Sequence, residues 1–283
     1  MKNTRKHAVV SLSGGMDSST LLLHLLSTGH DVTCLSYSYG QRHSVELERA
    51  TELVRYLNSL EGFNIVHQII TLDGLSNLLV SGLVDNGSME MKKGHYAHEN
   101  ALTTVVPNRN AIFAAITYAV ALSKVKQTGE SCKIALGTHM GDFDNKKQSG
   151  IYPDCSEEFR VALEHAFKIG NWDSDKVDYY APYNVTDKTG VLKDGILCCE
   201  KLGLDYKEIY KRTNTSYSPI QLNDGTWVSD FESGASIERV ESFIKLELED
   251  PAQYAKTDGT LVSWGFVKEY VEQVCAEWEQ SHD

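Results

Sequence analysis

The chain predicts an α/β fold: a parallel twisted sheet with helices on both faces, then a small C-terminal segment of helices and loops. Three features carry the prediction. Apolar runs of strand length alternate with segments of helical period from residue 7 to about residue 212, and short alternating β and α elements build parallel sheets covered on both sides. Gly-rich or polar stretches follow the strands, at the sheet edge where such folds bind ligands. Beyond about residue 212 the alternation stops, which divides the chain into an α/β domain, 1–212, and a C-terminal segment, 213–283.

The elements follow in order. "HAVVSLS" (7–13) reads as a buried strand and "SSTLLLHLLSTG" (18–29) as a helix ending at Gly29. "DVTCLSYS" (31–38) is a second strand. "SVELERATELVRYLNSL" (44–60) places Val45, Leu47, Ala50, Leu53, Val54 and Leu57 on one helical face. "NIVHQIITL" (64–72) is a third strand, "NAIFAAITYAVALSKV" (110–125) a mostly buried helix and "CKIALGT" (132–138) a fourth strand. Residues 83–104 and 140–152 are polar loops, longer than ordinary connections and suited to lids. In the C-terminal segment "IERVESFIKLE" and "GFVKEYVEQVCAEWEQ" have helical character.

Composition narrows the partners. With 283 residues, 41% of them apolar, the chain can bury a sizeable core. No run of about 18 apolar residues is present to span a membrane, and the N-terminal apolar run breaks into a Gly turn, as a strand does and a signal peptide does not. A net charge of −12 argues against general nucleic-acid binding, which needs Lys and Arg to displace counterions. The six cysteines form no CxxC pair and no disulfide framework, so a reduced, cytoplasmic protein is expected.

"SLSGGMDSST" (11–20) stands where the first strand meets the first helix. Gly14 and Gly15 let backbone N–H groups converge, Ser13, Ser18 and Ser19 offer hydroxyls, and the helix presents its partially positive end. Leu12, Met16, Asp17 and Thr20 complete this candidate phosphate cradle, although a plain turn capped by Asp17 and Ser18 would look similar. The loop lacks both the Lys of a Walker-type loop and the GxGxxG of a dinucleotide site.

SGGxDS resembles the pyrophosphate-binding loop of the N-type ATP pyrophosphatases, the PP-loop family. Further stretches, "SYSYGQRHSVELE" (36–48), "VVPNRNAIF" (105–113), "YPDCSEEF" (152–159) and "DKTG" (187–190), resemble one branch of it, the 7-cyano-7-deazaguanine synthases or QueC family. The resemblance runs from about Ala8 to "DPAQY" at 250–254. It implies an adenine nucleotide alpha hydrolase-like, Rossmann-type fold acting on 7-carboxy-7-deazaguanine with ATP, Mg2+ and ammonia to form the amide and then the nitrile. It also implies a homodimer.

On that reading Asp17, Lys188, Arg42 and His43 are the catalytic candidates. Arg42 would pair a carboxylate or phosphate through two hydrogen bonds, His43 would serve an incoming amine as base, and Lys188 would supply the cation missing from the first loop and neutralise departing pyrophosphate. Arg109, at a helix start, would join the nucleotide contacts. For the substrate, Tyr39, Gln41, Arg42, Asn108, Asn110, Asp142, Tyr152, Asp154 and Glu158 are candidates: one carboxylate accepting from a guanine-like edge, one Tyr stacking on the ring. The sequence leaves open which carboxylate and which Tyr. Cys155, without an evident partner base, ranks as a packing residue.

The family carries four zinc-binding cysteines near the C-terminus. Here Ser216, Asp230, Ser233 and Ser236 take those positions, and neutral hydroxyls are weak zinc ligands, so no structural zinc is expected. An apolar plug of Trp227, Phe231, Ile237, Val240 and Phe243, braced by a terminal helix at about 264–279, is the expected replacement. The departure opens alternatives to the synthase reaction: a repurposed ligase joining the deazaguanine to a small-molecule or protein amine in a modification or antiviral-defence system, or a non-catalytic nucleotide or deazapurine sensor.

Overall fold

A computed structural model describes residues 6–41, 45–79, 81, 83, 105–139, 143–144, 149–150 and 152–282. Strands β1 (Lys6–Ser11), β2 (His30–Ser38), β3 (Val66–Thr71), β4 (Cys132–Leu136) and β7 (Val177–Tyr180) form one sheet. Its order is β3-β2-β1-β4-β7 and every pairing is parallel. The chain thus leaves β1 on one side for β2 and β3, then returns to the other side for β4 and β7. The switch falls between β1 and β4, where a doubly wound sheet opens a crevice at its carboxyl edge.

Three further strand pairs are small antiparallel hairpins: β5 (Phe143–Asp144) with β6 (Ser149–Gly150), β8 (Ile220–Gln221) with β9 (Trp227–Val228), and β10 (Tyr254–Ala255) with β11 (Leu261–Val262). The helices are α1 (Met16–Ser27), α2 (Val45–Asn58), α3 (Arg109–Thr128), α4 (Glu157–Gly170), α5 (Lys188–Leu202), α6 (Tyr206–Tyr210), α7 (Gly234–Lys245) and α8 (Trp264–His282).

Alternation along the strands divides the core between two faces. Ala8 and Val10 of β1 pack with Val32, Cys34 and the Leu21–Leu22–Leu23 run of α1. Val9 turns the other way, into a cluster with Leu35, Tyr118, Ile134 and Val177. A third, smaller cluster joins Phe231, Ile237 and Val240 to Tyr254, Val267 and Val271. The strands and helices read from the sequence are present with ends moved by at most three residues, as frayed ends and caps allow.

Helix α4 is among the elements the sequence reading lacks, with α6 and the β8–β9 and β10–β11 hairpins. Phe159, Leu163 and Phe167 are half-buried on one side, with Phe167 4.7 Å from the Tyr118 ring, but Val161 and Ile169 are exposed on another. That split blurs the helical period. Its cap was the clearer signal, since Ser156 accepts from the Phe159 N–H at 3.1 Å and Glu157 and Glu158 follow in the first turn. The stretch 140–152, read as loop, contains the β5–β6 hairpin.

Behind the sheet, α1 and α5 are locked by a polar cluster. His24 Nδ1 lies 2.8 Å from Asp194 Oδ2, its Nε2 lies 2.8 Å from the Tyr180 hydroxyl, and Tyr183 donates to Asp194 at 2.7 Å. The hydrogen bond to Asp194, helped by Cys198, raises the His24 pKa to about 10 against the opposing effect of burial. His24, Asp194 and Cys198 also bring ligand-type atoms within 4.8 Å of one another, but both imidazole nitrogens already have hydrogen-bond partners.

The folded state therefore binds a proton at His24 that the unfolded chain releases near its ordinary pKa of about 6.5. Its contribution is complete below that pH and is lost as pH rises to about 10. Thermal melts across pH 6 to 10 should fall more steeply for the wild type than for His24→Gln; parallel curves would contradict the ion pair.

Candidate active site

The segment after β1 is held in a tight cradle. Leu12 N–H donates to Leu35 O at 2.8 Å, which keeps the chain on the sheet one residue beyond the strand. Ser18 Oγ then receives the Ser13 N–H at 3.2 Å and lies 3.0 Å from Ser13 Oγ, while the Gly15 N–H donates to Ser13 Oγ at 3.2 Å. Gly14 has φ +82°, and a Cβ there would lie 2.2 Å from the Glu46 carbonyl oxygen. Only glycine allows the loop this turn and this approach to α2. A Cβ on Gly137 would likewise lie 2.8 Å from the Ser18 nitrogen, so the end of β4 can close against α1.

Lys188 is the first residue of α5, where the helix dipole disfavours a cation. It is nevertheless only 5% exposed. Its Nζ donates to Glu238 Oε2 at 2.6 Å and lies 3.6 Å from Asp17 Oδ2. Asp17 Oδ1 is buried without a hydrogen-bond partner among the described residues. Lys188, Asp17, Ser13 and Ser18 line a cleft at the β1–β4 switch.

Aromatic residues line the same cleft. The rings of Tyr37 and Phe113 stack 4.0 Å apart with 7° between planes, and Tyr39 sits 5.6 Å from Phe113. Tyr37 is fixed by a hydrogen bond to Phe113 O at 3.1 Å and a 2.8 Å contact with Thr117 Oγ1. Arg109 joins this wall from the start of α3 and pairs with the Tyr39 hydroxyl. Burial opposes its charge, but Tyr39, Tyr217 and Glu46 around it raise its pKa. Burial also raises the Glu46 carboxyl, with Arg109 opposing. A flat ring, a carboxylate and a phosphate chain each find complementary chemistry along one cleft.

The C-terminal segment forms part of this cleft. Asn214 N–H donates to Gly14 O at 2.9 Å and Met16 N–H to Thr215 Oγ1 at 3.4 Å, and Asn214, Thr215, Tyr217 and Ala235 line the cavity. Beside them, the four positions aligned with family cysteines meet around one carboxylate. Asp230 Oδ1 accepts from Ser216 at 2.5 Å and from Ser233 and Ser236 at 2.8 Å each, and Oδ2 accepts the N–H groups of Glu232 and Ser233 at 2.9 and 2.5 Å. All four residues are buried. The donor set does not fit zinc, because the hydroxyls are committed to Asp230 and no thiolate is among them.

This hub shares the role assigned from sequence to an apolar plug. Phe231, Ile237 and Val240 do pack against α8, but Phe243 belongs to the main core and Trp227 lies in the β8–β9 hairpin outside that cluster.

Of the residues singled out from sequence, Leu12, Ser13, Gly15, Asp17, Ser18, Tyr39, Arg109, Asn110, Tyr152, Asp154 and Lys188 line the cleft, with Cys155 beside Asn110. Met16 and Thr20 face the core, where Thr20 Oγ1 lies 2.8 Å from the Tyr210 hydroxyl; Ser19 is fully buried. Gln41 closes its own turn, accepting from Tyr39 N–H at 2.9 Å and donating to Tyr37 O at 3.0 Å. Asn108 adopts a left-handed φ of 58° at the start of α3 and, like the exposed Glu158, is off the cleft lining. Arg42, His43 and Asp142 lie outside the described residues. Glu46, Tyr217 and Thr215 are cleft residues the sequence reading missed.

These features define a doubly wound α/β protein with a polar cradle and an aromatic wall at the switch point of its sheet. The chain belongs to the QueC family: the family model described as "Queuosine biosynthesis protein QueC" matches residues 7–226. It is similar to 7-cyano-7-deazaguanine synthase 2 of Colwellia psychrerythraea, 37% identical over 252 residues, covering 88% of this chain and 99% of that one. The 7-cyano-7-deazaguanine synthase of Hahella chejuensis is also 37% identical, over 87% of this chain and 92% of its own. Among solved structures, NMN synthetase from Francisella tularensis aligns over 73% of this chain and 76% of its own at 15% identity and a TM-score of 0.31, too distant to add to what the strand order shows.

The hub makes a stability prediction. Asp230→Asn turns a charged acceptor into an amide among buried donors and should cost about 2–4 kcal/mol. Denaturant unfolding would measure it, and a change below about 0.5 kcal/mol would show that the hub is incidental. Incubation with a strong chelator should leave the melting temperature unchanged.

Proposed function

We propose that the chain is an ATP-dependent carbon–nitrogen bond-forming enzyme acting on the carboxylate of a 7-deazaguanine. The observation that carries this reading is one cleft lined both by a phosphate-type cradle with Lys188 and by Tyr37, Tyr39, Phe113 and Arg109. Family membership and the names of its relatives support the choice of substrate. In this reading residues 1–212 supply most of the cleft, and residues 213–283 brace the cradle from behind.

The positive end of α1 receives the phosphates. Asp17, with its buried unpartnered oxygen, is the residue that would hold a magnesium ion, whose charge would offset that of the phosphates. The substrate carboxylate attacks the α-phosphorus, a new P–O bond forms, and the bond to the bridging oxygen breaks to release pyrophosphate. Lys188 stabilises the charge that gathers on this leaving group. Ammonia then adds to the acyl carbon, the C–O bond to AMP breaks, and the nitrogen gives up a proton. A second ATP then adenylates the amide oxygen with release of a second pyrophosphate, and cleavage of the C–O bond to AMP with loss of both protons from nitrogen gives the nitrile. Arg109, Tyr39 and the aromatic wall hold the ring throughout, and Arg42, His43 and Asp142 keep the roles read from sequence.

The test is pyrophosphate release from Mg-ATP with and without 7-carboxy-7-deazaguanine and ammonia, with mass spectrometry of the products and of the protein. Release that depends on the base and yields amide or nitrile is the expected result. Lys188→Met should lower the rate by about 10²–10³-fold, the range found when one electrostatic stabiliser is removed. Mass added to a protein amine would replace ammonia as acceptor, and no release at all would overturn the enzyme reading.

A further inference from the structure

Lys188 needs its ammonium in one place, yet its four-carbon stem is flexible and its position at the start of α5 is electrostatically unfavourable. Something other than its own helix must hold it. Asp17, at 3.6 Å, makes a longer contact; the short charge-assisted bond, 2.6 Å, goes to Glu238 on α7. Glu238 does not line the cleft, whereas Lys188 does, so the carboxylate grips the ammonium from behind.

Glu238 is itself well anchored. The Asp230 hub fixes the N-terminal turn of α7 through Ser233 and Ser236. The next residue along, Arg239, is 1% exposed and tied to Asp250 by bonds of 2.6 and 2.9 Å. Helix α7 therefore presents Glu238 from a support that is rigid on both sides. The same helix contacts the cradle, since Arg239 Nη1 donates to Thr215 Oγ1 at 3.3 Å and Thr215 receives the Met16 N–H.

We propose that Glu238 is a positioning residue of the active site: it sets the place of the Lys188 ammonium relative to the phosphate cradle and so ties the C-terminal segment to the departure of pyrophosphate. The inference rests on the role given to Lys188 above. Glu238 acts through Lys188 and touches no reacting atom, so its effect falls on turnover, with little on nucleotide binding.

The experiment is a double-mutant cycle on the full chain, read as steady-state pyrophosphate release with ATP varied. Glu238→Gln should lower kcat by about 10-fold, since small misplacements of a catalytic group cost this much or more, and leave KM for ATP within about twofold. Glu238→Asp should recover part of the loss. In a Lys188→Met background Glu238→Gln should have no further effect, because the two act as one unit. Equal losses from Glu238→Gln in both backgrounds, or a wild-type kcat for Glu238→Gln beside a crippled Lys188→Met, would overturn the inference and leave the enzyme reading standing. A wild-type kcat in Lys188→Met, or no release by the wild type, would overturn the reading and the inference together. Thermal melts of each variant separate these outcomes from misfolding.

Discussion

Much of the cleft depends on the placement of one guanidinium. Arg239 is buried, and its donors reach Asp250 in bidentate fashion, the Tyr210 carbonyl at 3.0 Å, Thr213 Oγ1 at 2.7 Å and Thr215 Oγ1 at 3.3 Å. Burial works against its charge, while Asp250 raises its pKa. Asp250 is completed by the Tyr254 hydroxyl at 2.7 Å and the Ala252 N–H at 2.9 Å. Buried ion pairs add little net stability, but removing one partner leaves an uncompensated charge. Their value here is geometric: α6, the strap at 213–215, α7 and the turn at Asp250 meet at fixed distances, and the strap supports the phosphate loop.

The Asp230 hub performs a related task with weaker bonds. Zinc binding by thiolates delivers a large free energy that becomes folding free energy. Five hydrogen bonds to one carboxylate deliver less each, about 1 kcal/mol net and somewhat more for charged acceptors. The apolar cluster of Phe231, Ile237, Val240, Val267 and Val271 supplies the remainder by burial against α8. Polar knot and hydrophobic patch together hold a corner that neither would hold alone.

Much of this was readable in the sequence, for identifiable reasons. The strand–loop–helix unit at 7–29 announces itself because β1 is apolar on both faces and Gly14 and Gly15 follow at once. Lys188 stood out because "DKTG" supplies a cation that the first loop lacks. Glu46 was hidden: α2 begins at the carboxyl edge of the sheet, so a residue of its first turn faces the cleft although the helical period reads it as an ordinary polar position. Glu238 was hidden in the same way, as a charged residue on an amphipathic helix. Gln41 misled in the opposite direction, since a polar side chain after a strand serves a ligand and a turn equally well, and only coordinates show its bonds going to Tyr37 and Tyr39.

The strap that closes on Gly14 also sets the order in which the molecule can be made. The Asn214-to-Gly14 bond joins residues far apart in sequence, and Arg49 reaches the Trp227 carbonyl at 2.7 Å across a separation of 178 positions. Contacts so distant along the chain form late and slowly, because loop closure precedes any reward. As the polypeptide leaves the ribosome, the sheet can assemble while the cradle still lacks its rear wall. The rear wall of the cradle is therefore in place only once residues 214–215 have docked on the phosphate loop, so the last segment to be made completes the site laid down by the first.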